Sequence, residues 1–322
     1  MVLLNPCLSV TGLMTAESPD KSFSWRTPTA QLLVVSGVSW VFEGCCGHQL
    51  EFVKIIKQTT KKPYPVILRE IVAQKGVVGL WDGFFPWGSV QAISKGAVFG
   101  WANALVRKSL KPAVDSGSLS RSASDTIAGA GAGGVQGFVL SPTLLLKTRV
   151  MTDPIFRQKM GMLQTTIKSC EVGARVIARE GPMSLMKGAP TFAIKRVADW
   201  GSRYLFVNLV EDVAFRRGDT DGSRKLAYSQ QIAASLLGGV LSSICTVPLD
   251  VMVAQIQQAA KAGEAVSVWG TFRVQWAEGG FERVAGFATR GFVARCIHVA
   301  LTTVVIKTGT EFVTDVLEGT NH

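Results

Sequence analysis

The chain has 322 residues, of which 47% are hydrophobic and only 18% are charged, and its mean hydropathy is +0.27. Soluble domains carry about 25% charged residues, so this composition argues against an ordinary soluble enzyme and excludes a disordered chain. No stretch long enough to span a membrane lacks charged or strongly polar side chains, which favours membrane helices that line water. The formal net charge of +11 suits anionic lipid, an anionic ligand or nucleic acid.

The cysteines and the N-terminal segment contain no further signal. The six cysteines lack the spacing of a metal site or a disulfide framework, so we expect free thiols packed within helices, no metal and no cofactor. The first 25 residues have no basic segment followed by an apolar core, and they contain Glu17 and Asp20. We therefore expect neither a secretory signal nor an Arg-rich transit peptide, and import into an organelle would depend on internal signals.

A unit of about 100 residues occurs three times in the chain, which predicts three tandem supersecondary units. Its first motif ends a long apolar stretch and has a slot for proline, one for an acid two residues later, and one for a base three residues further on. The copies are HQLEFVKIIKQ from His48, SPTLLLKTRVM from Ser141 and VPLDVMVAQIQ from Val247. A second motif follows each copy and contains two glycines seven residues apart. The pairs are Gly76/Gly83, Gly181/Gly188 and Gly279/Gly286.

Hydrophobic periodicity predicts a long helix, a short amphipathic helix and a second long helix in each unit. The odd-numbered long helices are predicted near 30–58, 125–152 and 229–258, and the even-numbered ones near 86–110, 190–216 and 289–316. Short helices are predicted near 64–74, 164–179 and 267–277, each ended by the glycine pair that follows it. Small residues at every fourth position predict close packing of two odd helices. They are Gly129, Gly133 and Gly137, and Ser235, Gly239 and Ser243.

These linked motifs resemble those of the mitochondrial carrier family, over roughly residues 30–317. The resemblance implies an all-α membrane protein, with six transmembrane helices in a pseudo-threefold barrel and three short helices on the matrix side. The implied domains are an N-terminal extension 1–29, repeats 30–120, 121–222 and 223–317, and a tail 318–322. Within the family, the strings FFPWGSVQAISKGAVFG (84–100) and IKRVADWGSR (194–203) are similar to the fungal citrate/oxoglutarate carriers.

The resemblance also implies a gate on the matrix side. In the family, the acid of each odd helix pairs with the base of a neighbouring odd helix. Carried over to this chain, the pairs are Glu51–Lys147, Asp250–Lys54 and Leu144–Val253. The third pair has lost both charges, and replacing both partners of a buried ion pair is often neutral, so we expect a working gate with two ion pairs. The family's bracing glutamines match at Gln58 and Gln257, whereas Met151 fills the middle slot. Because Gln49 stands in the first proline slot, we expect the first helix to lack the family's kink.

An internal alignment of the even helices gives the candidate substrate contacts. Counting from the second glycine of each pair, position +4 holds Trp87, Phe192 and Arg290, position +8 holds Gln91, Arg196 and Ala294, and position +12 holds Lys95, Trp200 and His298. The resemblance implies substrate contacts near +7 to +9 and on the next turn. The candidate substrate-binding residues are therefore Gln91, Lys95, Lys195, Arg196, Arg290 and Arg295.

Five of these six residues are cationic, and ionisable groups within a membrane span usually mark function. They predict a small anionic substrate, a di- or tricarboxylate in preference to a neutral amino acid. The alternative for these cations, most of all for Arg290 and Arg295, is contact with lipid headgroups or with the gate. Glu43 lies inside the first helix, where it packs against a cation or binds a cotransported proton.

The sequence contains no Walker loop, no GxSxG and no metal cluster, so we expect no enzyme. Its basic residues form no dense patch, so we expect no nucleic-acid partner. The expected function is exchange of anionic metabolites such as citrate and 2-oxoglutarate, by alternating access, in the mitochondrial inner membrane. We expect a monomer, with cardiolipin as the lipid partner that the resemblance implies. The alternatives are a carrier for another anion, such as a nucleotide or an amino acid, and a carrier fold without transport that serves as a subunit of a larger complex.

Overall fold

The computed structural model describes residues 25, 27–60, 62–216, 226–262 and 268–319. In the first repeat, α1 consists of Pro28–Phe42, a π-helical turn at Glu43–Gly47 and His48–Thr59, α2 is Tyr64–Lys75, and α3 is Phe84–Gly88 and Ser89–Asp115. In the second repeat, α4 is Arg121–Val139 and Ser141–Thr152, α5 is Met162–Glu180, and α6 is Ala189–Val210 and Glu211–Phe215. In the third repeat, α7 is Tyr228–Ala262, α8 is Val268–Ala288, and α9 is Phe292–Leu317. Short 3₁₀ turns lie at Val77–Trp81, Pro154–Arg157 and Pro182–Met186. Glu17 and Asp20 lie outside the described residues.

The long helices α1, α3, α4, α6, α7 and α9 form a closed ring. Each packs against the next in this order, and α9 packs against α1. The short helices α2, α5 and α8 pack against the preceding odd helices α1, α4 and α7. Within the described ranges this confirms the predicted all-α architecture. Helices suit a membrane because every backbone polar group is satisfied within its own segment. By length and composition, three described stretches could span a membrane: Ala30–Thr59, Tyr228–Gln255 and Arg273–Leu317.

Local sequence signals set where the helices begin. The Thr27 hydroxyl accepts a hydrogen bond from the Ala30 amide at 3.4 Å and caps α1, which starts with Pro28. The Ser120 hydroxyl caps α4 in the same way, at 3.2 Å from the Ala123 nitrogen. These caps satisfy amide groups that have no partner within the helix.

The π-helical turn Glu43–Gly47 interrupts α1 just before Gln49. The Gly44 carbonyl accepts hydrogen bonds from Gln49 Nε2 at 2.9 Å and from Trp81 Nε1 at 2.8 Å. A π turn inserts one extra residue and is a recognised cause of helix distortion. The first helix is therefore irregular at this point although it has no proline there.

Glycines allow α4 and α6 to approach each other closely. A Cβ atom added at Gly133 would lie within 3.0 Å of the Arg196 carbonyl oxygen, and one at Gly137 would lie 2.8 Å from the Ala193 Cα. Gly129 faces the ring of Tyr204 in the same way. The small-residue face predicted on α4 is thus its contact with α6.

We expect Gly133→Ala to destabilise the protein by about 1–3 kcal/mol, because the added methyl group meets backbone that cannot move aside. Gly37→Ala in α1 is the matched control, since no heavy atom other than the neighbouring backbone of its own helix lies within 4 Å of its Cβ position. Alanine in that helical position should be neutral or slightly stabilising. Thermal unfolding in detergent checks both variants, and equal midpoints would contradict the tight packing of α4 on α6.

The chain turns into each even helix at a glycine with a left-handed backbone. These glycines are Gly83 (φ 84°), Gly188 (φ 82°) and Gly291 (φ 83°). The expected position in the third repeat, Gly286, is wrong: it lies within α8, five residues before the true turn. A positive φ is readily adopted only by glycine, so the turn follows the backbone requirement and not the seven-residue spacing. Positions on α9 are therefore counted from Gly291.

A salt bridge connects the end of α4 to the α5–α6 turn. Glu180 accepts hydrogen bonds from Arg149 Nη1 at 2.8 Å and from Lys187 Nζ at 2.9 Å. Hydrogen bonds from Arg149 and Lys187 lower the pKa of Glu180 to about 2. Because the pKa of an unfolded glutamate is about 4.3, the stabilisation is fully present above that pH and is lost as the pH falls towards 2.

We expect Glu180→Gln to reduce stability at neutral pH by less than about 1 kcal/mol, the usual range for a partly exposed ion pair. The difference from the wild type should shrink as the pH falls from about 4 towards 2. Glu171→Gln, which changes an exposed acid on the same helix, is the control. Thermal midpoints across this pH range give the result, and a difference that persists in acid would contradict the ion-pair explanation.

Candidate functional site

A cavity that is partly open to solvent lies inside the ring of long helices. All six long helices contribute residues to its wall. Five of the six predicted substrate residues line it: Gln91, Lys95, Lys195, Arg196 and Arg295. Gln91 and Lys195 are buried, and so is Arg295. The internal alignment of the repeats therefore brings most of these residues to one cavity.

Arg290 lies outside this cavity, so its predicted position is wrong. Its guanidinium lies 4.9 Å from the centroid of the Phe287 ring and lines a separate surface pocket. The error comes from counting the third repeat from Gly286. Counted from Gly291, Arg295 occupies the position of Phe192 in the second repeat, and Arg290 precedes the helix.

Both predicted ion pairs of the gate are present where the odd helices converge. Lys147 Nζ lies 2.5 Å from Glu51 Oε2 and connects α4 to α1. Lys54 Nζ lies 3.3 Å from Asp250 Oδ2 and connects α1 to α7. Lys147 also donates to Gln91 Oε1 at 3.3 Å. Buried charges need partners of this kind, because an unpaired one would be strongly destabilising.

The third predicted pair is an apolar contact. Leu144 and Val253 are each 7% exposed and form one cluster with Phe192. The cluster joins α4, α6 and α7 at the level of the two ion pairs. Since both charged slots are apolar, no buried charge is left without a partner here.

The predicted bracing residues have different surroundings. Gln58 Nε2 donates to the Arg290 carbonyl at 3.4 Å, and the Gln58 carbonyl accepts from Gln255 Nε2 at 2.7 Å. Gln58 thus connects α1 to α7 and to the turn before α9. Met151 is fully buried in an apolar cluster with Phe52. The side chain of Gln257 lies outside the described part of the chain.

Asp199, on α6, lies beside the cavity and is a residue that the sequence motifs do not mark. Its Oδ1 accepts from Arg295 Nη2 at 2.8 Å. Its Oδ2 lies 3.0 Å from Lys195 Nζ and 3.7 Å from Arg196 Nη1. The sequence does contain one signal for these contacts: Asp199 follows Lys195 by four residues and Arg196 by three, and residues at these spacings share a helix face. The cations of this cavity therefore already have a carboxylate partner.

Asp250 connects the gate to the cavity. Besides its contact with Lys54, its Oδ1 lies 2.7 Å from Lys195 Nζ, and its Oδ2 lies 3.5 Å from Arg295 Nε. Two predicted substrate residues thus share a carboxylate with the gate. Among the described residues in and beside the cavity, six cations face four carboxylates, which leaves a net charge of +2. The six cations are Lys54, Lys95, Lys147, Lys195, Arg196 and Arg295, and the four carboxylates are Glu43, Glu51, Asp199 and Asp250.

Glu43 is buried and forms an ion pair with Lys95 across α1 and α3. His298 Nε2 lies 3.8 Å from Glu43 Oε1, and the His298 ring stacks on Phe42 at a centroid distance of 6.0 Å. The structure therefore shows Glu43 paired with a cation, which is one of the two expectations for this residue.

Gln136 fixes the orientation of the Arg196 side chain. Its Oε1 accepts from Arg196 Nη2 and, at 3.2 Å, from Trp200 Nε1. Its Nε2 donates to the Lys95 carbonyl at 2.7 Å. Gln136 belongs to the glycine-rich run of α4, where the adjacent Gly133 and Gly137 bring α6 close enough for these bonds.

The family model described as Mitochondrial carrier protein matches residues 26–111, 119–217 and 224–321, one match in each repeat. The chain belongs to the mitochondrial carrier family. Members of this family are integral membrane transporters and not enzymes. The threefold motifs, the six-helix ring and the central cavity of this carrier all agree with that membership.

Two curated relatives are fungal. The Citrate/oxoglutarate carrier protein of Saccharomyces cerevisiae is 28% identical over 214 residues, which are 66% of this chain and 66% of the relative. The Mitochondrial citrate transporter D of Aspergillus niger is 25% identical over 176 residues, 54% of each chain. The carrier thus matches less than two thirds of the length of either relative.

Proposed function

We propose that this carrier exchanges small carboxylate anions across the mitochondrial inner membrane by alternating access, with citrate and 2-oxoglutarate as the first candidates. The convergence of Lys195, Arg196 and Arg295 in a cavity of net positive charge carries the proposal. Arginine offers a two-pronged fork to a carboxylate, and lysine offers a point charge. The names of the two fungal relatives support the same class of substrate.

Substrate binding and gate opening are coupled through Asp250 in this proposal. In the closed ring, Lys54, Lys195 and Arg295 all contact that carboxylate. A substrate carboxylate that takes Lys195 and Arg295 leaves Asp250 with Lys54 alone, so α7 keeps its ion pair with α1 and loses its contacts with these cations of α6 and α9. A ligand shifts a conformational equilibrium by its differential affinity for the two states, and this exchange of partners supplies such a difference.

Gln91 provides a second connection of the same kind. Its side-chain oxygen accepts from Lys147, which is paired with Glu51 of the gate. A substrate that binds Gln91 therefore competes for a donor held by the other gate ion pair. Each ion pair thus has one partner in direct contact with a proposed substrate residue.

The proposed functional unit is a monomer with repeats 30–120, 121–222 and 223–317, because the helical ring closes within one chain. Cardiolipin is the proposed lipid partner, on the family resemblance alone. A carrier fold that acts only as a subunit of a larger complex would have no use for a cavity with these cations, and the following experiment separates the two.

The test is uptake by liposomes that contain the purified protein and are preloaded with a panel of carboxylates, nucleotides and amino acids. We expect saturable exchange of di- or tricarboxylates. If the protein exchanges only nucleotides or only amino acids, that class of compound replaces the carboxylates as its substrate. No exchange with any internal compound, by protein shown to be folded, would favour the structural subunit.

A further inference from the structure

Asp199 lies beside the proposed substrate cavity and contacts three of the cations that line it, which is unexpected for a cavity that takes anions. Its side chain is 5% exposed and contacts three cations on two helices, Lys195, Arg196 and Arg295. These are the groups that a substrate carboxylate would use. A substrate must therefore either displace Asp199 from them or bind beside it.

The backbone of Asp199 is held in place, so its carboxylate can leave the cations only by rotation of its own short side chain. Its carbonyl accepts hydrogen bonds from Ser242 Oγ of α7 at 3.2 Å and from Ser202 Oγ at 3.4 Å. The side chain of Ser242 also contacts Ser202 at 2.8 Å. Asp199 therefore stays within reach of the cations while a substrate is bound.

A fixed carboxylate in this position changes the charge that the site presents to a ligand. Lys54, Lys195, Arg196 and Arg295 carry four positive charges, and Asp199 and Asp250 remove two of them. Two substrate carboxylates complete the neutralisation. A third would be buried without a cationic partner, close to Asp199, and this arrangement is unfavourable in a low-dielectric cavity.

We propose that Asp199 determines the charge of the substrate, because its carboxylate engages the cations that a third substrate carboxylate would need, so that the carrier favours dianions over trianions. The inference rests on the proposed function and narrows its substrate class. It also assigns a role in specificity to a residue that lies outside the repeated motifs.

The test is competition by two compounds that differ by one carboxylate. Glutarate and tricarballylate share a three-carbon chain, and the second carries an additional carboxylate at its middle carbon. Each competes with labelled 2-oxoglutarate for uptake into liposomes, at a pH where all carboxylates are ionised. In the wild type, we expect glutarate to be the stronger competitor.

Asp199→Asn keeps the size of the side chain and removes its charge. We expect the potency of tricarballylate relative to glutarate to rise about tenfold, the effect of one additional charge-assisted contact. Asp115→Asn is the matched control, because it makes the same change of net charge at an exposed residue near the end of α3, outside the cavity. Its relative potency should equal that of the wild type.

The outcomes are distinguishable. If the wild type exchanges no carboxylate, the proposed function fails and this inference fails with it. If Asp199→Asn weakens both competitors equally or leaves their ratio unchanged, Asp199 is a structural residue and the inference is overturned. If that variant does not fold, the wild-type measurement decides, and tricarballylate as the stronger competitor would overturn the inference.

Discussion

Replacing Lys195 with alanine is expected to abolish carboxylate exchange almost completely while the protein stays folded. The lysine contacts two carboxylates, Asp199 and Asp250. Neither carboxylate is left without a cation in the variant, because Arg295 contacts both of them. Each lost charge-assisted contact to substrate costs about 1.5–3 kcal/mol, which is about tenfold or more in apparent affinity.

Arg196 provides the companion variants. Arg196→Ala should lose exchange to a similar extent, and Arg196→Lys should recover less than half of it, because lysine keeps the charge but lacks the fork that bonds Gln136. Exchange rates in liposomes, together with thermal unfolding as a folding control, check these variants. Wild-type exchange in both Lys195→Ala and Arg196→Ala would mean that the substrate site lies elsewhere.

Lys95 needs a different design because of its partner. Lys95→Ala alone leaves the buried Glu43 carboxylate without its ion-pair partner, so lost activity could reflect lost stability. Lys95→Gln combined with Glu43→Gln removes both charges and leaves none unpaired. Loss of exchange in that folded double variant assigns Lys95 to the substrate, and unchanged exchange assigns it to packing.

Leu144→Asp is expected to destabilise the protein by about 3–5 kcal/mol, because it places an unpaired carboxylate among Phe192 and Val253. Adding Val253→Lys should recover part of both stability and exchange, since it recreates the ion pair that the two other slots still have. Leu144→Asn introduces a polar side chain without a charge. Adding Val253→Lys should therefore not rescue this variant. Thermal unfolding and exchange rates give the result. A double variant no better than Leu144→Asp would contradict the pairing.

The two ion pairs could be predicted because the repeated motifs resemble those of the carrier family, in which the acid of each odd helix pairs with the base of a neighbouring odd helix. Glu51 and Lys54 lie in the first copy of the motif, Lys147 lies in the second and Asp250 in the third. The threefold repetition relates the odd helices that carry these copies. The matched loss of charge at the third pair was visible for the same reason. The aligned repeats therefore allowed the slots of the family's motif to be placed on all three odd helices.

The third repeat aligns ambiguously, and there the prediction of the site fails in part. Its second motif region contains Gly279, Gly280, Gly286 and Gly291. Spacing selects Gly286, whereas the backbone turns at Gly291. Gly280 (φ 58°) takes a positive φ as well, and sequence spacing does not reveal which of the four glycines do. Arg290 was placed in the cavity for this reason.

The pairing of the cavity cations was beyond the sequence for another reason. Glu43 and Lys95 lie 52 residues apart on different helices, and no repeated motif connects them. Asp199 lies one turn from Lys195, so its shared face was predictable, but its contact with Arg295 depends on how α6 and α9 face the cavity. Local patterns thus identified the cations, whereas their acidic partners needed the tertiary structure.

Counter-exchange tests the central claim most directly, namely that the cavity binds carboxylates and alternates between two open states. Uptake of labelled 2-oxoglutarate is measured into liposomes that contain the wild-type protein and are loaded with citrate, with 2-oxoglutarate or with buffer alone. We expect rapid saturable uptake with either internal carboxylate, slow uptake with buffer alone, and near-complete loss in Lys195→Ala. Uptake that is absent under every internal condition, or that proceeds equally well in Lys195→Ala, would contradict the proposed function.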